Sequence, residues 1–391
     1  MPKGKIYDKI HTIVDAELVD DKLEKLAQYC EDNQIRFADK AFPPNSDSLI
    51  GIPRPKDYNG SFSKYGYARP EKVFSDNDFD LFRKIEPSDI LQGGLGDCYF
   101  LVCLSGLAEY PPLIGRLFEF DEINPYGFYP IWLHINGSWK RYIVDDYLPV
   151  VKGSNRLAFS RTDEKEMWVM LLEKAYAKAY GGFWNIAGGD PVHALRDLTG
   201  APYDRISNFD DPNYVWNKLK RANDQEFMMT CFTKNTQITE EKHETGIVSG
   251  HAYTILDVQK YQDSQGRTQK LVKIRNPWGK FEWNGAFSDN SSLWRREDKA
   301  QYIIPGDDGV FWMRAEDFVI HYQGVGLLAI KPDYRSNAIR LSQTKVENKS
   351  IARLIIDPSS CNQQGTNEVF ISIDQTDSRS VNKDSYSYRF I

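Results

Sequence analysis

The sequence predicts an α+β protein in two lobes, a helix-rich lobe followed by a β-rich one, and three observations carry that reading. Two apolar runs in the first half, CYFLVCLSGLAE from Cys98 and KEMWVMLLEKAYAKAY over 165–180, have the length of buried helices. The stretch Gly188-Gly189-Asp190-Pro191 then breaks the chain, because two glycines and a proline end any helix there. Beyond the break, strand-like runs dominate: AYTILDVQKY, KLVKIRN, QYIIP, GVFWM and VGLLAIK. Helices first and strands after make an α+β chain.

Each remaining element follows in order. In residues 5–30, Ile10, Ile13, Val14 and Leu18, then Leu23, Leu26, Ala27 and Cys30, recur at helical spacing. That pattern predicts one broken or two short amphipathic helices, docked on the protein's own body or serving as a partner-binding arm. Residues 40–90 are rich in Pro, Gly, Asp and Ser and read as an extended wrapping segment. The helix over 165–180 sets Trp168, Leu171, Leu172, Ala175 and Ala179 on one apolar face. Residues 332–391 suggest about four short strands, too few for a seven-strand sandwich of about 100 residues. The expected divisions are 1–36, 37–188, 189–331 and 332–391.

A chain of 391 residues should hold two or three domains, since single cores rarely exceed about 250 residues. Hydrophobic residues make up 41 % and aromatic residues 13 %, so large cores can be buried. The formal charge is -6 and the basic residues are scattered, which argues against nucleic-acid binding and an anionic membrane surface. The five cysteines, Cys30, Cys98, Cys103, Cys231 and Cys361, are odd in number and irregular in spacing. They fit neither a disulfide framework nor a zinc site and suggest a reducing compartment. No apolar leader and no run of 18 apolar residues is present, so a cytoplasmic protein without membrane insertion is expected. The sequons at Asn59, Asn136, Asn290 and Asn348 then stay unused.

The most informative segment is QGGLGDCYFL, residues 92–101. It sets a Gly-rich turn before a cysteine that opens an apolar helix. At a helix N-terminus the macrodipole and the unpaired N–H groups favour the thiolate, the nucleophilic form. Gln92, six residues upstream across glycines, can fold back so that its amide and the Cys98 N–H converge as an oxyanion hole. A lone cysteine before a helix is more often a small buried hydrophobe. Here GHAYTILDV (250–258) and IRNPWGKFEWNGAFSD (274–289) supply partners. His251 suits a general base toward Cys98, and Asn276 can fix the imidazole tautomer through its side-chain oxygen. Trp278 would shield that bond from water. The order Gln92, Cys98, His251, Asn276 carries the case; His11, His134, His193, His243 and His321 lack such company.

QGGLGDC, LLEKAYAK, the Gly188-Gly189 break, GHAYT and NPWGKFEWNGAFSD together resemble the calpain protease core from about Phe37 to Gly326. The resemblance implies a papain-like fold split into two lobes, with Cys98 on the first and His251 and Asn276 on the second. It also implies limited endoproteolysis of protein substrates, usually switched on by Ca2+. Asp89 and Glu166 match the family's acidic ligands in the first lobe; Glu282, Asp289 and Asp308 match in the second. A further family carboxylate position is Val310 here, which weakens that site unless Asp307 substitutes, since calcium takes six to eight oxygens. Solvated surface charge is the plain alternative for these acids. The family's Trp after the nucleophile is Tyr99 here, with a modest effect expected on the S1′ side. No EF-hand pattern occurs, so an EF-hand regulatory subunit is not expected. Competing readings are a calcium-independent peptidase, acyl transfer of the transglutaminase kind, and a catalytically silent interaction protein.

Overall fold

A computed structural model of the chain describes residues 22–330 apart from 75, 163, 235–241 and 304–305. The expected helical pattern before residue 22 and the strands after 331 lie outside that range. Of the N-terminal segment, a helix Lys22–Asp32 (α1) is described. Leu23, Leu26 and Ala27 are half-buried and Cys30 is buried, so the face anticipated from their spacing does turn inward.

The first lobe is built around two helices, Cys98–Ala108 (α2) and Trp168–Ala179 (α3). Every residue of α2 from Tyr99 to Ala108 is buried, and Phe100 stacks on Tyr176 of α3 at 4.4 Å between ring centroids. Helix α3 is buried as its sequence suggested, but its burial is not confined to the face of Trp168, Leu171, Leu172 and Ala175. It is buried on all sides from Trp168 to Ala177, with Glu173 and Lys174 inside the protein. The reason is a buried ion pair: Lys174 Nζ meets Asp145 Oδ1 and also donates to the carbonyls of Asp145 and Tyr147, at 3.0 and 2.7 Å.

Asp145 Oδ2 accepts from the Asp39 N–H at 2.7 Å, and Asp39 Oδ2 pairs with Lys178 at 2.6 Å, which fastens the incoming chain to the lobe. Removing one partner of such a pair strands a buried charge. Lys174→Ala is therefore expected to cost about 3–5 kcal/mol of unfolding free energy. Urea denaturation reads the cost, and a loss below about 1 kcal/mol would mean Asp145 finds another partner.

Two small antiparallel ribbons complete this lobe: Tyr65–Ala68 (β1) with Leu148–Val151 (β4), and Phe128–His134 (β2) with Trp139–Asp145 (β3). After Gly188, with φ 81°, the chain does break, but Pro191 opens a new helix, Pro191–Thr199 (α4), rather than only ending one. Asp190 caps it through the Val192 N–H, and Gly200 closes it in the left-handed region. Ala194, Leu195 and Leu198 enter the first core, so the apolar face of α4 belongs with the lobe that precedes it.

The second lobe is one antiparallel sheet of six strands. Its strands are Tyr203–Ile206 (β5), Met228–Thr233 (β6), Ala252–Gln262 (β7), Thr268–Arg275 (β8), Val310–Arg314 (β9) and Tyr322–Leu328 (β10). They lie in the order β5-β10-β6-β7-β8-β9. Helices Pro212–Asp224 (α5) and Ala315–His321 (α6) pack on this sheet. Of the run QYIIP, read as a strand, Gln301 and Tyr302 instead end a helical turn, Lys299–Tyr302, and residues 304–305 lie outside the described range. Tyr302 stacks on Trp294 at 5.3 Å in a separate aromatic cluster with Phe287, Tyr261 and Trp312, so its neighbours are rings rather than a strand edge. The lobes meet where Gly106 of α2 faces Thr254 of β7, and Arg275 at the end of β8 pairs with Glu109 just past α2. Among the described residues no helix is long and apolar enough to cross a membrane.

Candidate active site

Cys98 is the first residue of α2, and the glycines before it are dictated by backbone proximity. A Cβ on Gly93 would stand 1.9 Å from the Phe159 carbonyl oxygen, and one on Gly94 would meet the Tyr65 hydroxyl at 2.5 Å. The same segment, 158–161, pins the loop through the reciprocal Leu91–Arg161 backbone bonds, at 2.9 and 3.0 Å, and through Gly94 N–H to the Ala158 carbonyl at 2.7 Å. Gly93→Ala must displace this loop. Because an error of about 1 Å in a reacting group can cost about 100-fold in rate, kcat/KM is expected to fall by that order. Wild-type kinetics in that variant would show the loop has slack that the structure does not.

His251 immediately precedes β7, and Asn276 immediately follows β8. The bulged pairing of those two strands brings the side chains together: His251 Nε2 lies 3.1 Å from Asn276 Oδ1. The amide's orientation is settled by its nitrogen, which donates to the carbonyls of Lys280 and Phe281 at 2.7 and 3.3 Å. Oδ1 is thus an acceptor, the imidazole carries its proton on Nε2, and Nδ1 presents a lone pair. Nδ1 is buried and takes no hydrogen bond. Burial pushes the imidazole down to about 4, opposed by the Asn276 bond, so the ring is neutral as it stands. The Trp278 ring lies 4.4 Å from it, tilted by 43°.

Gln92 and Cys98 do share a space. With Ile90 and Leu101 they form one wall of a narrow crevice whose other wall is Pro277 and Trp278. Across it the Trp278 indole donates to Gln92 Oε1 at 3.0 Å, while Gln92 Nε2 donates to the Leu95 carbonyl at 3.0 Å. That crossing bond was not read from the sequence, where Trp278 appeared only as a shield. Tyr99 is buried against the Gly188-Gly189 break, where a Cβ on Gly189 would fall 2.3 Å from its ring.

Among the described residues, no three His, Cys, Asp or Glu side chains are gathered closely enough to hold a metal ion. The acids singled out are nevertheless poorly compensated. Glu282 is pushed up to about 7 by burial and then by Asp289 and Asp308; Asp289 is raised by burial and by Asp308. Asp289 Oδ2 is buried without a hydrogen-bond partner. Glu282 Oε1 accepts from Gly309 N–H at 2.9 Å, Asp308 from Val310 N–H at 2.8 Å, and Asp307 from Phe281 N–H at 2.9 Å. In the first lobe Asp89 is pushed up to about 7 by burial, with Glu166 and Glu164 adding to it. Glu166 is buried and already accepts from the Arg83 and Lys84 N–H groups and the Trp168 indole. Uncompensated carboxylates with an orphaned oxygen suit a hard, oxygen-seeking cation, so the second-lobe group fits Ca2+ better than the first.

Comparison with known proteins gives the family. A family profile described as calpain family cysteine protease matches residues 37–328. Human calpain-9 is 31 % identical over 322 residues, covering 79 % of this chain and 45 % of its own. The rat calpain-1 catalytic subunit is 32 % identical, covering 79 % of this chain and 44 % of its own. The calpain-type cysteine protease DEK1 of Arabidopsis thaliana is 32 % identical, covering 76 % of this chain and 14 % of its own. The chain thus spans less than half the length of the curated relatives it matches. With a two-lobed α+β papain-like fold, and with a profile match over most of its length, this chain belongs to the calpain family of cysteine proteases.

Proposed function

We propose that this chain is a cysteine endopeptidase that performs limited proteolysis of protein substrates in the cytoplasm, with Cys98 as nucleophile. The observation that carries the reading is the His251–Asn276 pair, buried with its free Nδ1 lone pair beside the crevice that Cys98 lines. In the proposed mechanism His251 Nδ1 takes the Cys98 proton, and the thiolate attacks the scissile carbonyl. The Cys98 N–H and the Gln92 amide donate to the oxyanion, and His251 returns the proton to the leaving amine. Water then cleaves the thioester with His251 as base, while Asn276 holds the ring in one tautomer.

Two groups must move before this can run. Nδ1 needs the thiol within proton-transfer reach, and Gln92 must release Trp278 so that substrate can enter the crevice. Both requirements support a resting form that needs activation. Asp89 and Glu166, and Glu282, Asp289 and Asp308, are the residues proposed to hold Ca2+, which would supply the positive charge that lets these acids ionise and draw together. No EF-hand subunit enters this reading.

Casein hydrolysis by the purified chain, with calcium and with chelator, beside Cys98→Ala, tests the proposal. Cleavage stimulated by calcium and abolished in the variant is expected. Equal cleavage by Cys98→Ala would remove the nucleophile assignment, and equal cleavage in chelator would favour the calcium-independent reading.

A further inference from the structure

Residues 275–278 carry Asn276 between two bonds that leave the second lobe. Asn276 itself is held within that lobe: its N–H donates to the Gly309 carbonyl at 2.8 Å, and its amide nitrogen to the carbonyls of Lys280 and Phe281. Its neighbours reach the first lobe instead. The Trp278 indole donates to Gln92 Oε1 at 3.0 Å, ahead of the nucleophile helix, and Arg275 Nη1 donates to Glu109 Oε1 at the helix's far end. Helix α2 has 11 residues, about 16 Å at 1.5 Å each, so the segment is fastened near both ends of the element that Cys98 opens.

Glu109 is otherwise badly placed. It is the C-cap of α2, where the negative end of the helix dipole and the unpaired carbonyls repel a carboxylate. The Arg275 guanidinium offsets that charge from across the lobe boundary. Beside the pair the lobes leave a cavity of about 530 Å3, walled by Glu109, Tyr110 and Leu113 on one side and Phe227, Lys273 and Arg275 on the other. The ion pair is a strut along that hollow, with its two side chains only 25 and 32 % exposed.

We propose that Arg275 and Glu109 are positioning residues, and that their ion pair is the pivot about which the His251–Asn276 pair swings toward Cys98. Substrate entry requires Gln92 to release Trp278, which removes the tie at the front of the segment. The Arg275–Glu109 tie remains, one residue from Asn276, and holds that end of the segment to the nucleophile helix while the front opens. This inference rests on Cys98, His251 and Asn276 as the catalytic groups.

Casein hydrolysis with calcium, with kcat and KM measured separately, tests the pivot. Lys273 lies on the same face of β8 as Arg275 and lines the same cavity, so the carboxylate is the partner to remove first. In Glu109→Gln, kcat is expected to fall about tenfold, less than the roughly 100-fold that a full ångström of misplacement costs. KM and the urea midpoint should hardly change, because a partly exposed ion pair adds little to stability. Arg275→Glu sets two carboxylates together and should lower kcat further. Adding Glu109→Arg restores opposite charges and should bring kcat back to within about threefold of the parent. A parent-like kcat in Glu109→Gln, or no recovery in the exchanged chain, would overturn the proposal. Raised cleavage by Glu109→Gln in chelator would overturn it too, since the pair would then lock the resting form. Should Arg275→Glu fail to fold, the nearly isosteric Glu109→Gln decides alone. Failure of the peptidase reading would appear elsewhere, as undiminished casein cleavage by Cys98→Ala.

Discussion

Replacing His251 by alanine is expected to lower kcat/KM toward casein by about four orders of magnitude, with little further loss when Cys98→Ala is added, because the two side chains act as one unit. The variant keeps Asn276, so a fall of less than about tenfold would assign the base to another group. The same substitution has a stability signature whose sign follows from burial. The folded protein holds His251 at about 4, whereas the unfolded chain takes up a proton near the ordinary 6.5. Between those values the unfolded state binds more protons, so stability is lost as pH falls from about 6.5 to about 4. The loss is of order 3 kcal/mol for this one group. Asp89 and Glu282 work in the opposite direction, since carboxyls raised in the folded state favour it at low pH and lose that contribution as pH rises through about 7. The contribution of His251 is therefore read as the difference between His251→Ala and the parent over that window, by urea denaturation. Parallel pH curves would show that the imidazole is not buried neutral.

The candidate site residues could be singled out because each sits in a local pattern whose physics is local. Gln92, the glycines and Cys98 form a turn and helix start, where the need for glycine is set by a backbone only 1.9 Å from any Cβ on Gly93. His251 and Asn276 flank β7 and β8, and strand pairing alone brings them to 3.1 Å. What escaped notice lies between segments far apart in the chain. The Trp278–Gln92 bond spans 186 positions. Glu173 and Lys174 lie inside the protein on a helix whose apolar periodicity does not show it. Lys174 and Glu173 look like solvent-facing residues to any periodicity argument, because nothing in the spacing of LLEKAYAK tells of Asp145 or the Ser160 N–H. The start of the run QYIIP misled for the same reason: its apolar residues suit a strand, but Tyr302 ends a helical turn and packs in the aromatic cluster around Trp294. The ribbon β2–β3 was missed too, since FYPIWLH is buried throughout and shows no alternation.

Binding of Ca2+ should tighten as pH rises toward neutrality, and this is the largest effect expected outside the catalytic groups. Glu282 and Asp89 are held near 7, above the ordinary carboxylate range, first by burial and then by neighbouring acids. A cation can use such a carboxylate only after the proton leaves, so binding and deprotonation are linked. At about pH 6 a group of pKa near 7 is about nine-tenths protonated, and at about pH 8 about one-tenth. The apparent affinity is therefore expected to be about tenfold weaker at the lower pH for each such ligand. Calorimetric titration of the Cys98→Ala chain avoids self-cleavage and reads this directly. Glu282→Gln should flatten the dependence for the second-lobe group, while Asp89→Asn should do so for the first, which tells the two apart. The second-lobe group should show the stronger binding, because Asp289 carries a buried oxygen with no donor and Glu166 already spends its oxygens on Arg83, Lys84 and Trp168. An affinity that does not change between those pH values, or binding left intact when Glu282 and Asp89 are both replaced, would mean that the cation, if bound, is held by other oxygens. The movement that brings Nδ1 to the thiol and frees Trp278 from Gln92 would then need a different cause.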